Sequence, residues 1–444
     1  MTKKVAVIGA GITGLTIAYY LKKAGIPVKI FEKNNRAGGV IQSSLKDGFL
    51  YEHGPNSGTL SNIEIVQLLN ELNSDIEIDI AQSASKKRLI WKNNRWEALP
   101  SGLWSAIRTP LFTFYDKLRV LGEPFRAPGT NPDETVAAMV KRRLGQSFLD
   151  YAIDPFISGI YAGDPDYLVT KYALPKLYTL EQTYGSFIKG AYKKAKQPKT
   201  ALEKQVTKDI FSIKGGLENL VKALVKHIGD EHICLNRKNI NINYNKNKYF
   251  IDNQEFTHVI SAVQAQALPK LLPFVPSNMW LDITNLRYAP VIEIGLGFKH
   301  WQGGDLKAFG GLVPMKEHKN ILGLLFMSSI FKNRAPENGA LFTLFIGGLK
   351  RPELIEMPKT KLLELVAKDF KQMMQLTDFN PDMQFVKSYK KAIAQYGADS
   401  SKRLKSIDDI EKTFPGLILA GSIRDGVGLA DRVKQAKQIS NALI

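Results

Sequence analysis

Apolar residues recur along this chain with two spacings, one near two residues and one near 3.6, and the switches between them lay out its elements. An apolar block, Val5 to Ile8, meets the glycine cluster Gly9-Ala10-Gly11-Ile12-Thr13-Gly14; the helically spaced LTIAYYLKKAG and a second apolar block, VKIFE, follow. That order predicts strand, tight turn, helix, strand. NIEIVQLLNELN predicts an amphipathic helix, and FSIKGGLENLVKALVKHIG from Phe211 a strand, a glycine turn and a second such helix. Short alternating strands follow around ICLNRKNINI, KYFIDNQEF and HVISAV, with the Asn/Lys-rich stretch 236–253 as hairpin turns. In VIEIGLGFK, Ile292, Ile294, Leu296 and Phe298 alternate onto one strand face; ILGLLFMSS and ALFTLFIGG continue that sheet, and KTKLLELVAKDFKQMM is the helix that packs on it. NPDETVAAMVKRRLG predicts a helix with Asn131 as N-cap, Pro132 at its first position and Gly145 at its end. The strand LILAG, a glycine turn and a helix come last.

The expected organisation is α/β. Segments 1–83, 206–279 and 392–444 form one nucleotide-binding domain, interleaved with a helical, membrane-associated insertion (84–205) and a mixed, mainly stranded substrate domain (280–391). The interleaving explains why glycine turns that suit phosphates occur both at Gly9–Gly14 and at GSIRDGVG, Gly421 to Gly428.

At 444 residues with 44% hydrophobic content, the chain is long enough for more than one substructure with a sizeable core. One cysteine, Cys234, excludes an internal disulfide and fits a reducing compartment. His227, His232 and Cys234 read as a helix end and a following strand; no metal site is expected. The net charge of +19 attracts polyanions, anionic membranes or acidic small molecules. Its lysines are dispersed and no base-reading motif accompanies them, so nucleic acid is not expected. Lys3 and Lys4 before Val5–Leu21 imitate a secretory leader, but spaced glycines and interior polar residues argue for folded core instead. No membrane-spanning run is expected. Trp104 to Pro128 mixes aromatic rings with Arg108, Lys117, Arg119 and Arg126, which suits an interfacial patch on an anionic leaflet.

The first glycine cluster has the dinucleotide spacing in its proper strand–helix context. Gly9, Gly11 and Gly14, with Ile12 and Thr13 between them, form the turn, and Glu32 at the end of the second strand is placed for a ribose hydroxyl. Lys33 and then Arg36-Ala37-Gly38-Gly39 follow, a guanidinium and two glycines suited to a pyrophosphate. Gly421, Ser422, Gly426, Val427, Gly428 and Leu429 stand at a helix N-terminus that favours an anionic or polarised group.

In this order GAGITG, EKNNRAGG, EHGPNS (Glu52 to Ser57), FSIKGGLENL and LAGSIRDGVG resemble the flavin-dependent amine oxidase superfamily. KRLIWKNNRWEALPSGL, PFISGIYAGDPDYLVTKYALPKL and AFGGLVP look like its protoporphyrinogen oxidase family, and the resemblance covers nearly the whole chain. It implies a non-covalent FAD held by the residues above together with Gly54, Pro55, Asn56 and Ser57. The implied reaction removes six electrons from a porphyrinogen of haem biosynthesis, protoporphyrinogen IX or alternatively coproporphyrinogen III, with oxygen as acceptor. Arg88 would face a substrate propionate; Phe309, Leu312 and Phe345 would wall the macrocycle, and Gly159 would allow close approach. No general base is assigned. A cytoplasmic location on the inner face of the cell membrane, a homodimer and the next haem-pathway enzyme complete the implied setting. Two departures stand out: Ala394 replaces a proline in Ile393-Ala394-Gln395-Tyr396, and Ile423-Arg424 replaces asparagine- and tyrosine-type residues. Other superfamily activities and a non-catalytic flavoprotein remain the alternatives.

Overall fold

The computed structural model describes residues 3–198 and 200–444, apart from the side chain of Leu103. Among the described residues, five parallel strands form one sheet in the order Ile233–Cys234, Val28–Phe31, Val5–Ile8, His258–Ser261, Leu417–Leu419. The sheet is covered on both faces, so its central strands are almost wholly apolar. Val5 and Val7 pack with the helices Ile12–Lys23, Glu218–Ile228 and Leu429–Leu443, whereas Ala6 and Ile8 face the opposite core with Tyr249 and Ile407. The leader-like stretch is thus a buried strand and a buried helix. Three separate stretches of chain meet in this one sheet.

A second sheet of seven strands, again among the described residues, runs in the order Met383–Ala394, Tyr288–Phe298, Ala340–Gly347, Ile321–Phe326, Gly310–Leu312, Arg88–Lys92, Arg95–Ala98. Ile292, Ile294, Leu296 and Phe298 lie on one face, against Leu362, Val366 and Phe370 of the helix Lys359–Met374. Each such buried side chain contributes roughly 1.5–3 kcal/mol. The opposite face carries the residues discussed below.

Three details differ from the expectations. Stretch 84–205 is not helical throughout: the hairpin Arg88–Lys92/Arg95–Ala98 joins the seven-stranded sheet through Gly310–Leu312, because Leu89 and Trp91 bury into the same core as Ile294. The strand Met383–Ala394 runs past residue 391, so that position falls within an element. Asn131 is no N-cap and Pro132 opens no helix: Asn131 Oδ1 accepts from the Asp133 amide in a local turn, and the helix Val136–Arg143 is capped by Thr135, whose hydroxyl accepts from Ala138 N. A cap competes with an Asx turn for the same side chain, and here the turn prevails.

The remaining helices are anchored by buried charge. Arg143 is fully buried and donates to Glu123 and Glu181, while Glu123 also accepts from the Ser186 hydroxyl and the Phe187 amide. Removing one partner of such a cluster costs about 3–5 kcal/mol.

Candidate functional site

The strands of the parallel sheet end together at their carboxyl edge, where open α/β sheets receive ligands. Gly9 follows Val5–Ile8 with φ +101° and donates to the Phe31 carbonyl. Ala262 follows the next strand, and Gly421, with φ +91°, follows the one beyond. A Cβ on either glycine would come within 3.4–3.7 Å of Ala262, so the two glycine turns sit side by side although some 400 residues separate them. A Cβ on Gly14 would overlap the Gly9 carbonyl oxygen, which makes this glycine a helix-to-strand packing position. A Cβ on Gly11 would meet nothing within 4 Å, so the backbone there is open to a ligand. Ile12 is half-buried and Thr13 buried at the start of the helix.

Glu32 is buried, and its carboxylate accepts from Ala10 N at 2.8 Å and from Asn34 N and Nδ2 at 2.9 and 2.8 Å. The glycine turn thereby orients the carboxylate from below, while Lys33 beside it is exposed. Arg36 folds back over its own turn: Nη1 donates to the Ala37 and Ile41 carbonyls and Nη2 to Gly39 O. Three of its donor directions therefore hold the turn. Gly38 N donates to Ala10 O, and a Cβ on Gly39 would lie 3.2 Å from Gly11 Cα, which fixes this turn against the first. The Gly54-Pro55-Asn56-Ser57 turn leans on both, with Gly54 against the Val40 carbonyl. These features fit a dinucleotide: an open glycine backbone, an oriented carboxylate beside it and the carboxyl edge of a parallel sheet, where such ligands sit.

At the C-terminal turn the departures from the family pattern have local reasons. Ile423 is fully buried in the core, and Arg424 points away to Glu411 (2.5 Å) and the Leu419 carbonyl. The Tyr396 hydroxyl donates toward the Ser422 and Gly426 carbonyls (3.0 and 2.8 Å) and clamps the turn; burial raises its pKa. Gln395 Nε2 donates to Tyr161 O in the GIYAGDP run. The altered segment thus ties that run to the glycine turn. The expected free amides at Val427 and Gly428 are taken: both donate to Asp431 Oδ2, at 3.3 and 3.2 Å. Leu429 opens the helix and is buried.

The expected substrate residues come from four distant stretches and meet on the second face of the seven-stranded sheet. Cross-strand register aligns Ile90, Leu312, Gly323, Phe345, Glu293 and Lys387 in one row, and Arg88, Gly310, Leu325, Thr343, Gly295 and Phe385 in the next. Phe345 and Leu325 are only half-buried within otherwise buried strands. Arg88 is exposed and its guanidinium lies 5.8 Å over the Phe309 ring. Gly159 packs directly on this row: a Cβ there would overlap Leu312 Cδ2. At the outer end of this face a cavity of about 810 Å³ is lined by Lys86, Lys87, Arg108 and Lys307, with one carboxylate, Glu97, around Trp104 and Leu99. Leu99 packs with Ile90 and Leu312, so the cavity adjoins the row.

Beyond it the surface is unusually apolar: Trp104, Phe114, Tyr115, Leu121 and Phe125 are 68–88% exposed. Of the cations expected there, Lys117, Arg119 and Arg126 turn inward to main-chain carbonyls, and Arg108 faces the cavity. Among the described residues no helix is long and apolar enough to cross a membrane, and no cluster suits a metal ion.

One polar group on the site face was not anticipated. Glu293, in the same row as Phe345, is 1% exposed, accepts from Asn56 Nδ2 at 2.8 Å, and has its pKa pushed up to about 8, chiefly by burial. The signal was present as an acidic residue within the apolar alternation VIEIGLGF, on the face opposite the isoleucines.

Comparison with known proteins agrees with this geometry. Residues 12–433 match the family of flavin containing amine oxidoreductases. The mitochondrial protoporphyrinogen oxidase of Nicotiana tabacum is 30% identical, with 100% of this chain and 95% of that protein covered. The coproporphyrinogen III oxidase of Bacillus subtilis (strain 168) is 25% identical over 99% of this chain and 98% of its own. In fold, a crystal structure from Exiguobacterium sp. 255-15, of a protein provisionally called a protoporphyrinogen oxidase, superposes with a TM-score of 0.82 at 21% identity, covering 100% of this chain and 99% of that one. With the match spanning nearly all of the chain and the dinucleotide cradle in place, the protein belongs to the flavin-containing amine oxidoreductase family and is an FAD-dependent oxidoreductase.

Proposed function

We propose that this enzyme oxidises a porphyrinogen to the corresponding porphyrin, with protoporphyrinogen IX as its substrate and oxygen as electron acceptor. The observation that carries the reading is the row on the seven-stranded sheet: Leu312 and Phe345 offer a flat apolar wall, and Arg88 beside Phe309 offers a charged fork at one end. A disc-shaped substrate with an apolar body and acidic edge groups matches that arrangement. Relatives named for both protoporphyrinogen and coproporphyrinogen oxidation support the substrate class.

When bound, FAD supplies the hydride acceptor. In the proposed roles, Gly9, Gly11, Gly14 and the Arg36–Gly39 turn hold its phosphates, Glu32 its ribose, and the Gly421–Leu429 and Gly54–Ser57 turns its flavin end. The family's flavin is held without a covalent link here, since Cys234 lies on the strand Ile233–Cys234, away from the Gly421 turn in chain order. Arg88 orients the macrocycle through a propionate, with Lys86, Lys87, Arg108 and Lys307 drawing in the remaining acidic edge. The exposed rings from Trp104 to Phe125 rest on an anionic membrane surface, from which an apolar substrate is collected.

The test is anaerobic mixing of the purified flavoprotein with protoporphyrinogen IX and, separately, coproporphyrinogen III. Bleaching of the flavin by the first, with porphyrin fluorescence after oxygen is admitted, is expected. Faster bleaching by coproporphyrinogen III, with four propionates to meet the cavity's cations, would transfer the assignment to that substrate. No bleaching by either would refute porphyrinogen oxidation.

A further inference from the structure

Glu293 is a buried carboxyl group on the site face for which none of the roles above accounts. Its register partners across the sheet are Phe345 on one side and Lys387 on the other. Oε1 accepts from Asn56 Nδ2. Asn56 gives its amide also to the Gly54 carbonyl, at 3.0 Å, and its oxygen accepts from the Thr343 hydroxyl, at 2.8 Å. That arrangement fixes which way the amide points and hence which carboxyl oxygen it meets. The Asn56 hydrogen bond falls on Oε1 and leaves Oε2 as the other oxygen of the carboxylate.

The surroundings are those of a proton-handling group. Asn56 stands on the turn that packs through Gly54 against Val40, and Gly39 packs against Gly11, so Glu293 is joined by two turns to the dinucleotide cradle. The charged and titratable groups around it are Glu52, Lys387, Tyr389, His53 and Arg36. Glu52 is neutralised by Arg334 at 2.8 Å, and its residual charge adds to the effect of burial on Glu293. Tyr389 donates to the His53 carbonyl and has its phenol pushed up to about 12, by burial and then by Glu293, so it stays protonated. His53 is held below its ordinary value by burial, Lys387 and Arg36. Glu293 itself, with its pKa pushed up to about 8, exchanges its proton within reach of neutral pH.

We propose that Glu293 is the proton acceptor of this site, its Oε2 taking the proton that is released with each two-electron oxidation of the porphyrinogen. The assignment rests on the porphyrinogen reading above. In each oxidation a methylene C–H bond breaks, and FAD, when bound, would take its hydride. A proton also leaves in each: in two of the three a pyrrole N–H bond breaks, its electron pair staying on nitrogen to complete a conjugated C=N bond, and in one a second methylene C–H bond breaks, its pair completing the conjugation; each proton moves to Oε2 and then to water. Burial gives the carboxylate enough basicity for the transfer, and the Asn56 amide, bonded to the other oxygen, keeps the ionised form accessible.

The experiment compares wild type with Glu293→Gln and Glu293→Asp as FAD-loaded proteins, following single-turnover flavin reduction by porphyrinogen across pH. Wild-type reduction should accelerate with pH, reach half its maximum near pH 8 and level off above that. Glu293→Gln should be slower by about 100-fold or more and flat with pH. Glu293→Asp, which retains an acceptor, should restore the sloping profile at reduced rate. Porphyrin affinity, read by fluorescence quenching, and FAD content should be unchanged in both variants. A Glu293→Gln profile that keeps the wild-type slope and rate overturns the assignment alone. Wild-type flavin that no porphyrinogen reduces overturns the substrate reading, and this assignment with it.

Discussion

The dinucleotide edge and the substrate face are built in opposite ways. At the edge, shape comes from the backbone: Gly14 clears the Gly9 carbonyl, Gly39 closes on Gly11, and carbonyls and amides are held by Glu32 and Arg36 from within a few turns of chain. On the substrate face, shape comes from side chains that only sheet register brings together: Arg88, Leu312, Phe345 and Glu293 share no local segment. A backbone site tolerates almost no added atom, whereas a side-chain site can be retuned one residue at a time. The edge therefore suits an invariant cofactor and the face a variable substrate.

The sharpest way to break that contrast is Gly14→Ala. Its Cβ would overlap a main-chain oxygen that cannot rotate away, and overpacking of this kind costs about 1–3 kcal/mol or more. Purified protein should lose at least about tenfold in FAD affinity, measured as the flavin-to-protein absorbance ratio after dialysis; full retention would show that the edge is as plastic as the face. Different in kind is the pH dependence of stability. The folded-state pKa of Glu293, about 8, lies above its ordinary 4.5, so the folded state holds this proton more tightly than the unfolded chain. Its contribution is fully present below pH 4.5, declines as pH rises and is lost through pH 8, at roughly 1.4 kcal/mol per unit. Urea unfolding of the FAD-free protein should show this decline, and Glu293→Gln should flatten it.

A smaller effect sharpens the face. Arg88→Ala should raise KM about fivefold with kcat nearly unchanged, as expected for an exposed ion pair worth about 1 kcal/mol. A proportionate fall in kcat would instead place the guanidinium at the reacting atoms. Smallest is the surface patch: Trp104→Ser with Phe125→Ser should weaken binding to anionic vesicles several-fold in a co-sedimentation assay while leaving FAD content intact, and unchanged sedimentation would separate the patch from lipid.

The same contrast explains what could be read in advance. The first glycine turn, Glu32 and the isoleucine face of VIEIGLGFK were legible because each depends on neighbours within one or two elements. The interplay of distant strands was not. Gly159 packs on Leu312 from a distant stretch of chain, and Asn56, expected at the cofactor, spends its side chain on Glu293, Thr343 and Gly54. Asn131 was misplaced for a local reason, since a side chain that can cap a helix can equally close a turn one residue before it. Charge was the least informative signal: three of the four cations expected at the aromatic surface are turned to carbonyls.

The clamp made by Tyr396 on the Ser422 and Gly426 carbonyls carries a consequence for biosynthesis. The cradle's second half and the edge strand Leu417–Leu419 leave the ribosome more than 400 residues after the first. At about 5–20 residues per second the nascent chain spends tens of seconds with Gly9–Gly14 already made and nothing to close against it. Flavin loading must therefore await synthesis of the Gly421 turn, and a ribosome that stops before it releases an apoprotein with an exposed parallel-sheet edge, a species for chaperones and proteases rather than a partly active enzyme.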